Sequence, residues 1–248
     1  ELDLQSPNGD CTSILKLNDK SISINLIFKG DTVVRNMVLN LNEGEKELFD
    51  KIEIADQDFS AFSENWQTIN GKNKSVLNEY NLYDFKLKNA EGKTFNLELR
   101  IYDAGFAYRF VFNKGVDSVT ENSSIHFAND YTFWAYNGEN HNVGPVKLSE
   151  YGDKIARNPV VFETTKNKYF ALHEAAIFDH APFVLSNIEH NAFSLDQEIS
   201  GEGDPTKTSW RAFILGDKPG DLIESDLLVN LNEPCKIEDP SWIKPGRA

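Results

Sequence analysis

The residues best equipped for chemistry lie in the run Ala171-Leu172-His173-Glu174-Ala175-Ala176-Ile177-Phe178-Asp179-His180. By residue type, His173, Glu174, Asp179 and His180 could form a metal cluster. Their spacing argues against all four acting together. His173 and Glu174 are consecutive, so on a strand they point to opposite faces and only one can face a given site. The simpler reading is a set of polar residues at a strand end. Glu174 stands apart for a physical reason. It follows the apolar run Tyr169-Phe170-Ala171-Leu172 and precedes Ala175-Ala176-Ile177. Its carboxylate is therefore expected to be partly desolvated, and a buried carboxylate is costly unless a cation or a metal compensates it. Its hard oxygens suit Ca2+ better than zinc, but a calcium site needs about six or more oxygens and this segment has too few. Either a partner domain contributes the rest, or Glu174 pairs with an Arg or Lys.

Elsewhere the chain has no Gly-x-Ser-x-Gly elbow, no Gly-rich phosphate loop after a strand and no Cys-x-x-Cys. Of the five histidines (His126, His141, His173, His180 and His190), only His173 and His180 lie close together. A pair of carboxylates for sugar hydrolysis cannot be picked by spacing from 39 acidic residues. Trp66, Trp134, Tyr136 and Trp210 could stack on sugar rings, with core packing as the simpler expectation for each. Arg109 alternates with an aromatic strand face, so it is expected to point away from that core and pair with a carboxylate, without a catalytic role. Cys11 and Cys235 match no zinc spacing. They are read as two buried free thiols, with a disulfide between the first and last strands as the alternative.

These side chains need a scaffold, and composition limits which one. The chain has 248 residues with 25 Lys+Arg against 39 Asp+Glu, a formal net charge of −14. Such a charge repels phosphate backbones and anionic headgroups, which argues against nucleic acid and membrane surfaces as partners. A hydrophobic share of 40% with 12% aromatics is too rich for a disordered acidic chain. No apolar run is long enough to insert in a bilayer as a helix. The chain begins at Glu1 without an apolar leader. It is expected to be a mature or trimmed product with any targeting segment removed.

Apolar and polar residues alternate along most of the chain. Ile22, Ile24, Leu26 and Phe28 share a face in Ser21–Phe28. Phe95, Leu97, Leu99 and Ile101 do so in Phe95–Ile101, and Phe106, Tyr108, Phe110 and Phe112 in the next run. A period of two in β-favouring residue types predicts half-buried strands. Further strands are expected over Thr12–Leu17, Thr32–Leu39, Tyr80–Leu87, Thr132–Tyr136, Val160–Thr164, Tyr169–Glu174, Ala192–Leu195, Ser209–Ile214 and Leu227–Leu231. Turn signals such as Asn8-Gly9-Asp10, Asn70-Gly71, Asp103-Ala104-Gly105 and Asn137-Gly138 separate them. Only Leu48–Ile54 and Pro219–Ser225 read as short helices. With no βαβ rhythm and no break in composition, the expectation is all-β: one large antiparallel β-sandwich with few short helices. Ser241-Trp242-Ile243-Lys244-Pro245-Gly246-Arg247-Ala248 differs in kind. A tail that keeps Trp and Ile either packs them on the sandwich or leads into another domain.

Several of these segments resemble the N-terminal domain of glycoside hydrolase family 97. They are Leu4-Gln5-Ser6-Pro7-Asn8-Gly9, Ile101-Tyr102-Asp103-Ala104-Gly105-Phe106-Ala107-Tyr108-Arg109-Phe110, and Phe170-Ala171-Leu172-His173-Glu174-Ala175-Ala176-Ile177. Leu222–Asn232 followed by Asp239-Pro240-Ser241-Trp242-Ile243-Lys244-Pro245-Gly246 is the most specific match. His173 departs from the family's usual residue. The resemblance implies a sandwich like that of galactose mutarotases over residues 1–240, with 241–248 leading into a catalytic (β/α)8 barrel. The family's members are exo-acting α-glucosidases and α-galactosidases, largely of Bacteroides-type gut bacteria and periplasmic or secreted. Their substrates are oligo- or disaccharides. The sandwich is non-catalytic and contributes one glutamate, here Glu174, to a Ca2+ shared with the barrel. By that reading the isolated chain is inactive. The alternative from a different class is a free-standing carbohydrate-binding sandwich. A mutarotase-type epimerase would need a His and a Glu converging over a sugar pocket, which the sequence does not display.

Overall fold

Alternating sequence becomes alternating burial. In a computed structural model of the chain, Ser21–Phe28 buries every second side chain and so does Thr94–Tyr102 over most of its length. Residues 1–248 are described, apart from Asn70, Asp179, His190, Pro245, Arg247, Ala248 and the side chain of Asp117. The strands, in chain order, are β1 (Leu2–Gln5), β2 (Cys11–Asn18), β3 (Ser21–Phe28), β4 (Asp31–Leu39), β5 (Leu41–Glu43), β6 (Lys46–Glu47), β7 (Glu53–Gln67), β8 (Ser75–Lys88), β9 (Thr94–Tyr102), β10 (Gly105–Phe112), β11 (Val116–Phe127), β12 (Thr132–Tyr136), β13 (Val143–Lys147), β14 (Ile155–Glu163), β15 (Tyr169–Ala175), β16 (Val184–Glu189), β17 (Ala192–Gly201), β18 (Thr206–Lys207) and β19 (Trp210–Gly216). The helices are short: α1 (Leu148–Tyr151), α2 (Pro219–Glu224) and α3 (Leu227–Asn230).

The pairings are antiparallel and make two layers. One runs β1-β2-β3-β4-β11-β17-β16, with the β5–β6 hairpin continuing the edge of β11 beyond β4. The other runs β7-β8-β9-β10-β19-β15-β14-β12-β13. β14 belongs to both: Ile155 and Ala156 pair with β16, while Val160–Glu163 pair with β15. The inner faces enclose one core, in which Ile22, Ile24 and Ile125 of the first layer meet Phe95, Phe110 and Phe213 of the second. One end of it is aromatic, with Phe162 and Phe170 stacked at 4.5 Å and Phe127, Phe133 and Phe193 around them. The fold is thus the expected all-β sandwich.

The second layer is covered on its outer face as well. Tyr80, Tyr102, Ala107, Ala171, Trp210, Ala212 and Ile214 are buried there beneath Leu227 and Leu231. This overturns the half-buried reading of β10, in which every residue is buried. It also overturns Leu227–Leu231 as a strand. Leu227 and Leu231 are four residues apart, so one helical turn puts both on the sheet. Gly105 allows that close approach, because a Cβ there would meet Leu227 Cδ2 at 2.8 Å. Asparagines fasten the segment: Asn230 accepts from Trp66 Nε1 at 2.9 Å and donates to the Leu77 carbonyl at 2.9 Å.

Other expectations divide. Pro219–Ser225 does hold a helix, with the Asp221 carboxylate accepting from the Asp217 and Lys218 amides at 3.0 and 3.2 Å. Leu48–Ile54 is not one. Leu48, Phe49 and Ile52 plug the core from consecutive turns, and Ile54 already lies in β7. Cys11 is buried and free, as read, but Cys235 is free and exposed rather than buried, because the chain has left the sheet by then. Trp242 is 70% exposed, so the tail does not pack that ring on the sandwich. Pro245, Arg247, Ala248 and Asn70 lie outside the described residues.

Candidate functional site

β15 and β19 run side by side, and their register sets the site: Phe170 lies opposite Leu215, Leu172 opposite Phe213, and Glu174 opposite Arg211. All six point into the sandwich, as strand alternation requires once Phe170 and Leu172 are in the core. His173 therefore points to the outer face, next to Ala212 in register. The separation of His173 from Glu174 follows the sequence expectation. Burial lowers the His173 pKa from its usual value, and Nδ1 has no hydrogen-bond partner.

Glu174 is 5% exposed. Its Oε1 accepts from Ser209 Oγ at 2.6 Å and Gln197 Nε2 at 3.4 Å. Its Oε2 accepts from the Phe183 amide at 3.1 Å and Asn158 Nδ2 at 3.2 Å. Every donor is neutral. The expected alternative, a direct pairing with Arg or Lys, does not occur among the described residues. Burial pushes the Glu174 carboxyl above its ordinary value; the Ser209 hydroxyl, the Arg211 charge and the Phe183 and Asn158 donors pull it partly back. Desolvation thus outweighs the hydrogen bonds, the condition under which an added cation gains most.

Arg211 sits behind the donors rather than on the carboxylate. It is fully buried, and so is Glu121 of β11, with which its Nη2 forms an ion pair across the core. The same Nη2 reaches Gln197 Oε1, while Nη1 reaches the Ser209 carbonyl at 2.5 Å and Ser209 Oγ at 3.4 Å. Glu121 Oε1 accepts from Tyr108 Oη at 2.9 Å and Ser123 Oγ at 2.8 Å. The result is a continuous polar network between the layers, from Tyr108 to Asn158.

The loop after β15 closes the site. Ala176 adopts φ of 54°, the left-handed region that non-glycine residues avoid. Its amide donates to Asn232 Oδ1 at 3.1 Å. The chain then turns out through Ile177 and Phe178, 44% and 56% exposed. His180 comes back to accept the Ser209 amide on Nε2 at 2.9 Å. Asp179 and His190 lie outside the described residues. Among the described residues no three His, Cys, Asp or Glu side chains converge as a metal cluster. What the chain does offer is hard oxygen: the Glu174 carboxylate, and beside it Asn158 Oδ1, which is buried and has no partner. That donor type fits Ca2+, as a fraction of a shell.

The aromatic candidates separate as well. Trp210 is fully buried on the outer face, between the guanidinium of Arg109 at 4.3 Å and that of Arg100 at 4.7 Å. Arg109 is paired with Glu98 at 2.7 Å, so it is a packed structural residue, as expected. Trp66 and Trp134 are half-buried and Tyr136 is 45% exposed. The residues that the sequence did not single out are Asn158, Gln197, Ser209, Arg211 and Glu121. A signal existed for three of them. Glu121, Gln197 and Arg211 interrupt inward-facing apolar series, as in Phe193, Leu195, Gln197, Ile199.

The chain is 27% identical over 232 residues to a probable retaining α-galactosidase of Streptomyces bingchenggensis, covering 88% of the chain and 35% of that protein. It is 26% identical to the retaining α-galactosidase of Bacteroides thetaiotaomicron, covering 69% of the chain and 32% of that protein. It therefore spans about a third of the length of the curated relatives it matches. Its fold is that of part of a glycoside hydrolase family 97 enzyme from Pseudoalteromonas sp. strain K8, solved with acarbose: TM-score 0.85 at 23% identity, over 98% of this chain and 40% of that one. A β-arabinopyranosidase superposes at TM-score 0.74 with 16% identity, over 88% of this chain and 40% of that one. Residues 4–234 match the family model described as "Glycosyl-hydrolase 97 N-terminal", and the chain belongs to that family.

Proposed function

We propose that this chain is the non-catalytic N-terminal domain of an exo-acting glycoside hydrolase of the α-glucosidase or α-galactosidase type. In this reading it packs on a catalytic barrel and supplies one carboxylate, Glu174, to a Ca2+ in the shared active site. The observation that carries the reading is the state of Glu174. It is a buried carboxylate at a strand end, short of charge compensation, beside an unpartnered amide oxygen, in a chain of this family.

Glu174 and Asn158 would hold the ion from this side, with the remaining oxygens coming from the partner domain. A bound Ca2+ supplies Lewis acidity and orients substrate oxygen. The sandwich does the rest by rigidity: a strand end held by four hydrogen bonds keeps the carboxylate in place. Exposed Ile177, Phe178 and Trp242 are the apolar groups such a docking would cover. The oligo- or disaccharide substrate and a periplasmic or secreted location belong to the same proposal.

The test compares the isolated chain with the polypeptide that includes the residues following Ala248. The chain alone is expected to hydrolyse no chromogenic α-glucoside or α-galactoside with or without Ca2+, and the longer polypeptide to do so with Ca2+. Glu174→Gln in the longer form is expected to weaken Ca2+ binding, read from a calcium titration. Turnover by the pure chain would overturn the division of labour, and an unchanged calcium titration would remove Glu174 from the site.

A further inference from the structure

The proposed ligand has a controller that never touches it. Arg211 divides its two guanidinium branches between the two residues that share Glu174 Oε1. Nη1 holds Ser209, and Ser209 Oγ donates to Oε1 at 2.6 Å. Nη2 holds Gln197 Oε1, and the Nε2 of that same amide donates to Glu174 Oε1 at 3.4 Å. A guanidinium is a planar fork, so fixing one branch fixes the other. The fork is itself fixed from the far layer by Glu121, which is held in turn by Tyr108 and Ser123. Because Arg211 takes the oxygen of the Gln197 amide, the NH2 faces the other way, donating to the Ala181 carbonyl at 2.6 Å and to Glu174 Oε1 at 3.4 Å. The amide cannot flip without turning its carbonyl against the carboxylate.

We propose that Arg211 is the positioning residue for Glu174, orienting Ser209 and Gln197 so that both donate to Oε1 and leave Oε2 as the oxygen turned toward Asn158. The inference deepens the reading of Glu174 as a metal ligand and rests on it for its consequence in catalysis. Its geometric claim can be tested on the chain alone. A residue needed only for packing would change stability and leave the Glu174 carboxyl as it was. A positioning residue changes the carboxyl itself.

The measurement is the titration of the Glu174 carboxyl by carbon NMR in this chain, for Arg211→Lys, Ser209→Ala and Phe213→Leu. An ammonium cannot grip both partners, so Arg211→Lys is expected to raise the titration midpoint by about one pH unit, a roughly tenfold change in acidity. Ser209→Ala, which leaves the ion pair with Glu121 in place, is expected to do the same by removing the shortest hydrogen bond. Phe213→Leu disturbs the adjacent rung and is expected to leave the midpoint alone. In the longer polypeptide, calorimetry with CaCl2 is expected to show about 10- to 100-fold weaker binding for Arg211→Lys. An unmoved midpoint in folded Arg211→Lys and Ser209→Ala overturns the proposal, as does an equal shift in Phe213→Leu. If Glu174→Gln leaves calcium binding unchanged, the metal-ligand reading falls by itself, and the titration still decides whether Arg211 orients the carboxylate.

Discussion

The two strands that form the site end in opposite chemistry. At one end of the β15–β19 ladder, Phe170 faces Leu215 and Leu172 faces Phe213, inside an aromatic core. Two residues further, the same inward face holds Glu174 opposite Arg211. Backbone, register and burial are alike along the ladder, so the difference lies in the side chains alone. Apolar rungs gain about 25 cal/mol for each Å2 removed from water. The polar rung gains little net, because desolvating a carboxylate, a guanidinium and the Glu121 carboxylate offsets most of their attraction. A sandwich built only for stability has no need of that rung. Its presence marks the end of the ladder as a place where charge is wanted, and the state of Glu174, neutral donors and a raised pKa, indicates that the compensation is incomplete.

Breaking each end separately is the strongest test of that contrast. Phe170→Ala is expected to cost about 3–5 kcal/mol through the cavity left beside Phe162 and Phe127. Arg211→Met is expected to cost about the same, for another reason: Glu121 stays buried and loses the cation that pairs with it. Urea denaturation of the two variants measures both. They part company on repair. Adding Glu121→Leu to Arg211→Met is expected to return most of the lost stability, since an apolar pair can replace a buried ion pair with little net change. No second substitution of that kind restores the Phe170 cavity. If the double variant stays as unstable as Arg211→Met, the ion pair is a net contributor to the fold and the contrast between the rungs is wrong.

How far the sequence showed this contrast follows from where the polar rung reaches. β3, β9 and β12 were readable because their inward residues are all apolar. β11, an interior strand of the first layer, was not. Its inward series is Val119, Glu121, Ser123, Ile125, Phe127, and the two polar members, Glu121 paired with Arg211 and Ser123 donating to Glu121, break the period. The network therefore concealed the strand that carries it. β7 was missed for the opposite reason: it is an exposed edge with no buried face to set a period. Glu174 was found because its neighbours in the chain are apolar. Asn158, Gln197 and Ser209 lie 16, 23 and 35 residues away from it, and only the pairing of strands brings them to its oxygens.

A smaller effect sharpens the comparison through pH. The unfolded chain releases the Glu174 proton near the ordinary glutamate value of 4.5, and burial makes the folded chain hold it to higher pH. Folding takes up a proton in that window, so this group's contribution to stability is full below 4.5 and is lost as pH rises through the folded value. Glu174→Gln is expected to flatten that part of the profile, measured as Tm against pH. His173, on the other face, works in the reverse direction. Burial holds its pKa below the ordinary 6.5 in the folded chain, so its contribution to stability is full above that value and is lost as pH drops through the lower folded value. His173→Gln is expected to remove the acid-side loss and leave the Glu174 window unchanged, which separates the two neighbours by face.

The smallest expected effect concerns a residue that has neither a rung nor a network. Trp242 is 70% exposed and lies beyond the last buried residue of the sheet cover, Leu231. Trp242→Ala should change the stability of this chain by no more than about 0.5 kcal/mol, as for other surface positions without special contacts. A single exposed aromatic is ordinary on a protein surface, but the proposed docking would cover this ring. In the longer polypeptide the same substitution should therefore have a larger effect on the unfolding midpoint than it has here. Equal effects in the two forms would mean that the ring stays exposed, and the docking face would then have to be sought at Ile177 and Phe178, next to the carboxylate.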